Sequence, residues 1–254
     1  MDPLPTGRYG SNPPDGFGQT KSQGPLLIKD IRVIGKFMWW ELETAQKTKA
    51  FFHVTYGMSG QWSRTQTKHA SFFVEFSDPA RTEHQRIFFN DQRRFGTLKF
   101  VLDEKQHEKK LKSLGPDVLQ DSSLSPEIFA KRILMKPNRT IAEALMDQTC
   151  ISGIGNYLRA EILFECGVNP WKSVVEVSAS EYVKLCEASQ NISRKSYESQ
   201  GASIKTYRNV RGEKGSAQFY FKVYAQERCP NKHTISRRKD ANGRMVHWCN
   251  SCQP

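Results

Sequence analysis

The sequence predicts an α+β chain in three parts: an N-terminal β-sandwich, a helical region, and a C-terminal β-hairpin clamped by a metal. Three observations carry this. Short apolar runs separated by turn residues occupy 28–102, a spacing typical of sandwiches and barrels. Segments with helix caps and stop signals follow, from 104 to about 201. The end of the chain then brings Cys229 and His233 together with Cys249 and Cys252 around a basic stretch. Two knuckles of soft ligands this close in sequence can close a tetrahedral Zn²⁺ site.

In chain order, residues 1–25 hold five prolines and five glycines with little apolar periodicity, which predicts an irregular segment. The run 28–43 is strand-like and dense at Phe37-Met38-Trp39-Trp40; 51–56, 71–76, 86–90 and 97–102 are further strands. From Glu104 the pattern changes to a charged helix over 104–114, stopped by Leu114-Gly115-Pro116. Ser125 and Pro126 open a helix over 125–135, because proline is tolerated where the amide has no helical partner. Thr140 and Glu143 form a capping box for 140–148. Gly167 ends a helix over 156–166, and Ser178 with Glu181 opens a long one that stops near Gly201. The chain therefore divides into an irregular segment over 1–25, a sandwich over 26–117, helices over 118–202 and a loop plus metal hairpin over 203–254.

All four positions of the metal cluster are filled by protein, so a single Zn²⁺ there is structural, with no open site for catalysis. Between the knuckles lie Arg237, Arg238, Lys239, Asn242-Gly243 and Arg244. Asn-Gly marks a hairpin turn, so the ligands flank a hairpin with a cationic tip, suited to holding an arginine against phosphate. The formal net charge of +12 and a pI near 9.5 point to a polyanionic partner, nucleic acid before anionic membrane. No run of about 18 apolar residues occurs, which excludes a spanning helix. No basic stretch followed by an apolar core reads as a secretory signal. Cys150, Cys166 and Cys186 fall in helical patterns and read as reduced, buried small hydrophobes, which suits an intracellular compartment.

The string from Asp147 to Glu161 joins two helices through a turn with glycines at 153 and 155. Such a turn lets backbone N–H groups converge at a helix N-terminus, an anion site to which Asn156 adds a side-chain donor. Continued to Leu163, the string resembles the helix-two-turn-helix of the formamidopyrimidine-DNA glycosylase / endonuclease VIII (Fpg/Nei) family, especially its Nei-like and giant-virus members. The terminal knuckles resemble that family's zinc finger, with His233 standing for one of four cysteines. The resemblance covers 26–254 well and 6–25 weakly.

The resemblance implies further roles. Gly57-Met58-Ser59-Gly60 and Asp91-Gln92-Arg93-Arg94-Phe95-Gly96 match motifs that place Met58, Arg93 and Phe95 as a trio filling the void left by an extruded base. Apolar wedges and a guanidinium then replace lost stacking and pairing. Lys36, read as lying inside a dense apolar strand, resembles the family's hairpin lysine that assists strand cleavage. His69 and Arg244 resemble phosphate-contacting residues, Arg244 at the lesion phosphate. The stretch 203–211 resembles the loop that closes over the extruded base.

One departure concerns the amine. In the family an N-terminal proline followed by glutamate attacks C1′ of the sugar, and the resulting iminium allows β-elimination. This chain begins Met1-Asp2-Pro3-Leu4-Pro5, without that Pro-Glu segment and its following helix. Three readings follow: a start lying upstream supplies the proline, which is the expectation; the protein is a lesion binder without glycosylase activity; or Lys36 serves as the amine, its pKa depressed by apolar surroundings.

The expected function is a bifunctional DNA glycosylase/AP lyase acting on oxidised bases in base excision repair. Lys36 and Arg244 are expected at the chemistry, and Met58, His69, Arg93, Phe95, Asn156 and Arg244 at the DNA. The alternative is a catalytically impaired damaged-DNA or abasic-site binding protein of the same fold. The expected partner is double-stranded DNA with oxidised bases or abasic sites, bound by a monomer, in the nucleus or wherever DNA is housed.

Overall fold

The structure, a computed structural model, describes residues 1–5, 7–77, 85–199, 201 and 221–254. The chain divides into two compact units, the first ending at Leu111 and the second beginning at Lys112. The expected closing loop at 203–211 lies outside the described residues.

The first unit is a sandwich of two four-stranded antiparallel sheets. One has the order β1 (Asp2–Pro3), β6 (Ala70–Phe76), β7 (Gln85–Asp91), β5 (Gly60–Ser63); the other runs β2 (Leu27–Ile34), β3 (Phe37–Glu43), β4 (Lys49–Thr55), β8 (Thr97–Val101). Aromatic side chains from both sheets fill the space between: Trp40 lies 5.6 Å from Trp62, and Phe52 lies 5.8 Å from Phe72. A strand with one wet face buries every second residue. β4 instead buries Ala50 through Val54 without interruption. Its inner residues Phe52 and Val54 meet the opposite sheet, while helix α2 (Glu104–Lys112) covers the outer face. There His107 stacks on Phe51 with centroids 3.8 Å apart and hydrogen-bonds His53 across 2.9 Å.

Two expectations are corrected in this unit. The run 28–43 is not one strand but a hairpin, because Gly35 adopts φ +56° and Ile34 pairs back onto Phe37 across the two-residue Gly35–Lys36 turn. Lys36 is therefore exposed at a hairpin tip rather than enclosed by apolar neighbours. The segment 1–25 is poor in regular structure but is not detached. It adds β1 to a sheet edge and a five-residue helix α1 (Phe17–Lys21), and it buries Tyr9, Phe17 and Thr20. The two buried aromatic side chains, Tyr9 and Phe17, outweigh what its proline and glycine content signals, since a large apolar side chain fully removed from water contributes about 1.5–3 kcal/mol.

The second unit is helical and ends in a hairpin. Its helices are α3 (Pro126–Leu134), α4 (Ile141–Met146), α5 (Asn156–Glu165) and α6 (Ala179–Glu198). The expected starts hold: Ser125 accepts from the Ile128 amide, while Thr140 with Glu143 and Ser178 with Glu181 form complete capping boxes. The core joins Phe129, Ile133, Ile141, Leu145, Ile151, Ile154, Ile162 and Leu185, all at most 1 % exposed. β9 (Ser236–Lys239) and β10 (Met245–Trp248) form the terminal hairpin.

Candidate nucleic-acid interface and metal centre

The turn before α5 is fixed by its own polar side chains. Gln148 accepts from the Gly153 amide (3.0 Å) and donates to the carbonyls of Met146 (3.1 Å) and Ile154 (3.0 Å). Gly153 sits at φ +105°, a left-handed conformation that favours glycine. Gly155 then takes the N-cap position and brings no capping side chain. The N-terminus of α5 therefore has no side-chain cap at Gly155, and its dipole favours an anion there.

The terminal hairpin is anchored onto α5 at several points. Glu161 is buried and accepts from the backbone amides of Lys222 (2.8 Å), Val223 (3.0 Å) and Tyr224 (2.8 Å), which holds the chain entering the finger. Gln253, wholly buried, donates to the Val168 carbonyl (2.9 Å) and accepts from the Cys249 amide (3.0 Å). Arg159 and Asp240 make a 2.7 Å ion pair whose side chains are 0 % and 1 % exposed. Burial by itself would raise the Asp240 carboxyl, but the Arg159 hydrogen bond and charge hold it below the ordinary carboxylate value.

Asp240 also shapes the hairpin tip. Its Oδ1 accepts from the amides of Asn242 (3.0 Å) and Arg244 (2.9 Å), and its own amide donates to the Arg244 carbonyl (2.9 Å). The tip is thus a three-residue loop closed by Asp240 and Arg244, with Gly243 at φ +74°, rather than a two-residue Asn-Gly turn. Arg244 projects from it, exposed. Asn156 donates to the Met245 carbonyl (3.0 Å), and Arg159 donates to the Asn156 side-chain oxygen. Asn156 and Arg244 are therefore neighbours, tied by one hydrogen-bond lattice. Arg244, Asn242, Asn138, Arg139 and Gln148 line a common groove with Met146 and the carboxylates of Glu143 and Asp147, the latter paired with Arg139 at 2.8 Å.

Cys229, His233, Cys249 and Cys252 present ligand atoms that all lie within 4.8 Å of one another. The His233 Nδ1 stands 3.4 Å from Cys252 Sγ and 3.7 Å from Cys249 Sγ, and the sulfurs of Cys229 and Cys252 are 4.0 Å apart. A tetrahedral ion with metal–sulfur bonds of about 2.3 Å needs ligand separations of roughly 3.8 Å, so this donor set fits Zn²⁺. Burial opposes ionisation of Cys229, but the backbone amides of His233 and Asn231 hold its thiol below the ordinary value.

In the first unit, Met58 and Phe95 are exposed at 66 % and 56 %, and the Arg93 guanidinium lies 5.2 Å from the Phe95 ring. Their two loops are joined. Asp91, buried, accepts from Ser59 Oγ (2.6 Å) and from the Gly96 amide (2.7 Å), while Ser59 Oγ accepts from the Arg93 amide (2.8 Å). A Cβ on Gly57 would stand 2.6 Å from the Phe95 backbone, so the loops touch. His69 is half-buried, and its carbonyl accepts from the Asp91 amide (3.1 Å). Met58, Arg93 and Phe95 thus share one surface. The roles of Gln148, Asp240 and Arg159 are not readable from sequence; a polar residue beside a glycine turn is the one signal that marks Gln148.

Two family profiles match the chain: the formamidopyrimidine-DNA glycosylase N-terminal domain over residues 13–98 and the formamidopyrimidine-DNA glycosylase H2TH domain over residues 114–208. The chain is 30% identical to the formamidopyrimidine-DNA glycosylase of Listeria monocytogenes serotype 4b, with 96% of this chain and 87% of that protein aligned. It is 27% identical to that of Prochlorococcus marinus over 91% of this chain and 80% of the relative. Among solved structures, MutM (Fpg) from Thermus thermophilus superposes with a TM-score of 0.76 at 26% identity, covering 90% of this chain and 83% of that one. Lactococcus lactis Fpg in complex with abasic-site DNA superposes at 0.78 with 24% identity, covering 93% and 86%, a likeness of fold.

Proposed function

Because the chain belongs to the formamidopyrimidine-DNA glycosylase family, we propose that it is a base-excision DNA glycosylase with AP lyase activity, acting as a monomer on duplex DNA that holds oxidised bases or abasic sites. The observation that carries the reading is the lattice joining Asn156, Met245, Arg159 and Asp240. It sets Arg244 beside the N-terminus of α5, where a cation, the Asn156 amide and the positive end of the helix dipole face one anion. Zn²⁺ bound by Cys229, His233, Cys249 and Cys252 closes the base of that hairpin. Met58, Arg93 and Phe95 fill the space of the everted nucleotide, and His69 contacts phosphate. The Nei-like placement within the family rests on the 154–163 string and on His233 among the ligands.

Pro3 is internal to the chain, and its nitrogen is acylated by Asp2, so it offers no amine. Lys36, exposed at its hairpin tip and so without the apolar surroundings that would favour its neutral form, is one amine of this chain to test for the lyase step, beside a proline supplied upstream. Its unprotonated amine condenses with the C1′ aldehyde of an abasic sugar, water leaves, and the imine makes the C2′ proton acidic enough for elimination. Borohydride reduction of that imine on an abasic duplex tests this. A trapped adduct that Lys36→Ala abolishes supports lyase chemistry at Lys36. An adduct that survives the substitution assigns the amine elsewhere. Tight abasic-site binding with no adduct and no base release supports the alternative, a damaged-DNA binding protein of the same fold.

A further inference from the structure

Arg8 braces the loop that carries Arg93 and Phe95, and we propose that it is a positioning residue for void filling, holding these side chains ready for insertion beside an everted nucleotide. The inference rests on the void-filling reading of Met58, Arg93 and Phe95 given above. It concerns a residue outside the matched N-terminal profile, which begins at residue 13.

The segment around Arg8 is anchored on both sides. β1 pairs Asp2 with Phe73 and Pro3 with Phe72, and the Leu4 amide donates to the Ser71 carbonyl (3.1 Å). Gly7 then passes so close to β6 that a Cβ would stand 2.4 Å from the Ser71 Cα. Tyr9 is buried, and its hydroxyl accepts from the Leu98 amide (2.9 Å) at the start of β8. Between these anchors Arg8 places a single nitrogen, Nη1, against two carbonyls, those of Arg94 (2.8 Å) and Gly96 (2.6 Å). These are the residues on either side of Phe95.

The loop needs such a hold. Arg94 adopts φ +57°, a conformation that non-glycine residues keep only where their surroundings over-determine it. On the far flank, Asp91 holds the Gly96 amide (2.7 Å). With more than half of its surface in solvent, the Phe95 ring has little packing to fix it. Its direction is set instead by the backbone on either side, which Arg8 and Asp91 fix between them. Arg8 itself is exposed, so its removal deletes two charge-assisted hydrogen bonds and a 5.4 Å cation–π contact with Tyr9 but takes no buried side chain out of the core. A loop pre-set in its bound shape loses less conformational freedom on binding, which raises affinity for the duplex that uses it.

The test compares the zinc-loaded full chain and its variants on two duplexes, one intact and one carrying a tetrahydrofuran abasic analogue with 2-aminopurine beside it. Arg8→Ala is expected to lower the abasic-to-intact affinity ratio about tenfold. It is also expected to blunt the 2-aminopurine response and to leave intact-duplex affinity, salt slope and unfolding midpoint unchanged. Arg8→Lys, which keeps the charge and a donor of nearly the same reach, is expected to fall between. Phe95→Ala should remove the abasic preference altogether. If Phe95→Ala does so while Arg8→Ala keeps the full ratio, the positioning role is overturned and void filling stands. If Phe95→Ala and Arg93→Ala both keep the ratio, void filling itself fails. If Arg8→Ala weakens both duplexes equally and lowers the salt slope by about one, Arg8 is a phosphate contact and the positioning role is overturned.

Discussion

Asp240 and Arg244 stand at one hairpin tip yet perform separable tasks. Asp240 neutralises Arg159, a guanidinium with no solvent exposure, and two of its hydrogen bonds shape the tip. Removing one partner of a buried pair leaves an uncompensated charge, so Asp240→Ala is expected to destabilise the second unit by about 3–5 kcal/mol, read from urea unfolding. Arg244 faces solvent, so Arg244→Ala is expected to leave that unfolding curve in place and to weaken abasic-duplex binding. Coincident curves for Asp240→Ala and the parent chain would remove the ion pair from this account. The exposed position of Arg244 was legible, because Asn242-Gly243 marks the turn beside it. Arg159 lay inside the same recognisable string but carried no signal of its role, since its partner is 81 positions away. Asn156 shows the complementary limit. Its amide was expected at an anion, but one of its donor hydrogens goes to the Met245 carbonyl, so it also fixes the hairpin on which Arg244 stands.

At the level of elements, α2 is the least conventional. Its sequence announced a charged helix but not that the helix would lie over β4, because the contact depends on a histidine facing a histidine across sequence. Burial, the His107 ring and the charges of Lys99 and Lys110 push the His53 imidazole from an ordinary 6.5 down to about 4. Burial also lowers His107, against the opposing pull of Glu41, Glu104 and Glu108. Both rings therefore take up protons more readily when the chain unfolds. Stability from this pair is complete above about pH 6.5 and is lost as pH falls towards 4, on the order of 3 kcal/mol for a fully buried ring. Thermal unfolding of the parent chain and of His107→Leu over that range should differ in slope, the variant losing less stability on acidification because only His53 is left to take up a proton; parallel curves would assign the acid sensitivity elsewhere. The terminal hairpin is the opposite case, since its ligands, basic tip and order were all readable. Four-residue strands flanking a three-residue loop cannot close a core alone. Chelation, or Cys249→Ser, is therefore expected to disorder the hairpin and abolish abasic-duplex binding, while the caps of α3, α4 and α6 keep the helical circular dichroism. Undiminished affinity after zinc removal would contradict the bracing role. In the run 28–43 the apolar residues hide the turn, and Gly35 is its one mark in the sequence.

For the whole molecule, the net charge of +12 is not itself a DNA site, because dispersed lysines raise encounter rates without selecting a lesion. Salt separates the two contributions. Each phosphate neutralised by a cation releases condensed counterions and steepens the log–log dependence of affinity on salt by about 0.9. Lys36, Arg93 and Arg244 are exposed cations placed by tight turns: a hairpin tip, a loop tied to Asp91 and a loop tied to Asp240. If all three reach phosphate or the duplex interior, the slope is about −3 or steeper, and affinity falls roughly fortyfold or more between about 50 and 200 mM salt. The preference for an abasic over an intact duplex should change far less across that range. It draws on stacking by Met58 and Phe95 and on a shape already set in the protein, neither of which releases ions. Fluorescence-anisotropy titrations of both duplexes at four salt concentrations measure the two quantities together. A preference that collapses in parallel with affinity would show that charge alone distinguishes the duplexes, leaving the exposed Met58–Arg93–Phe95 surface without the role assigned to it.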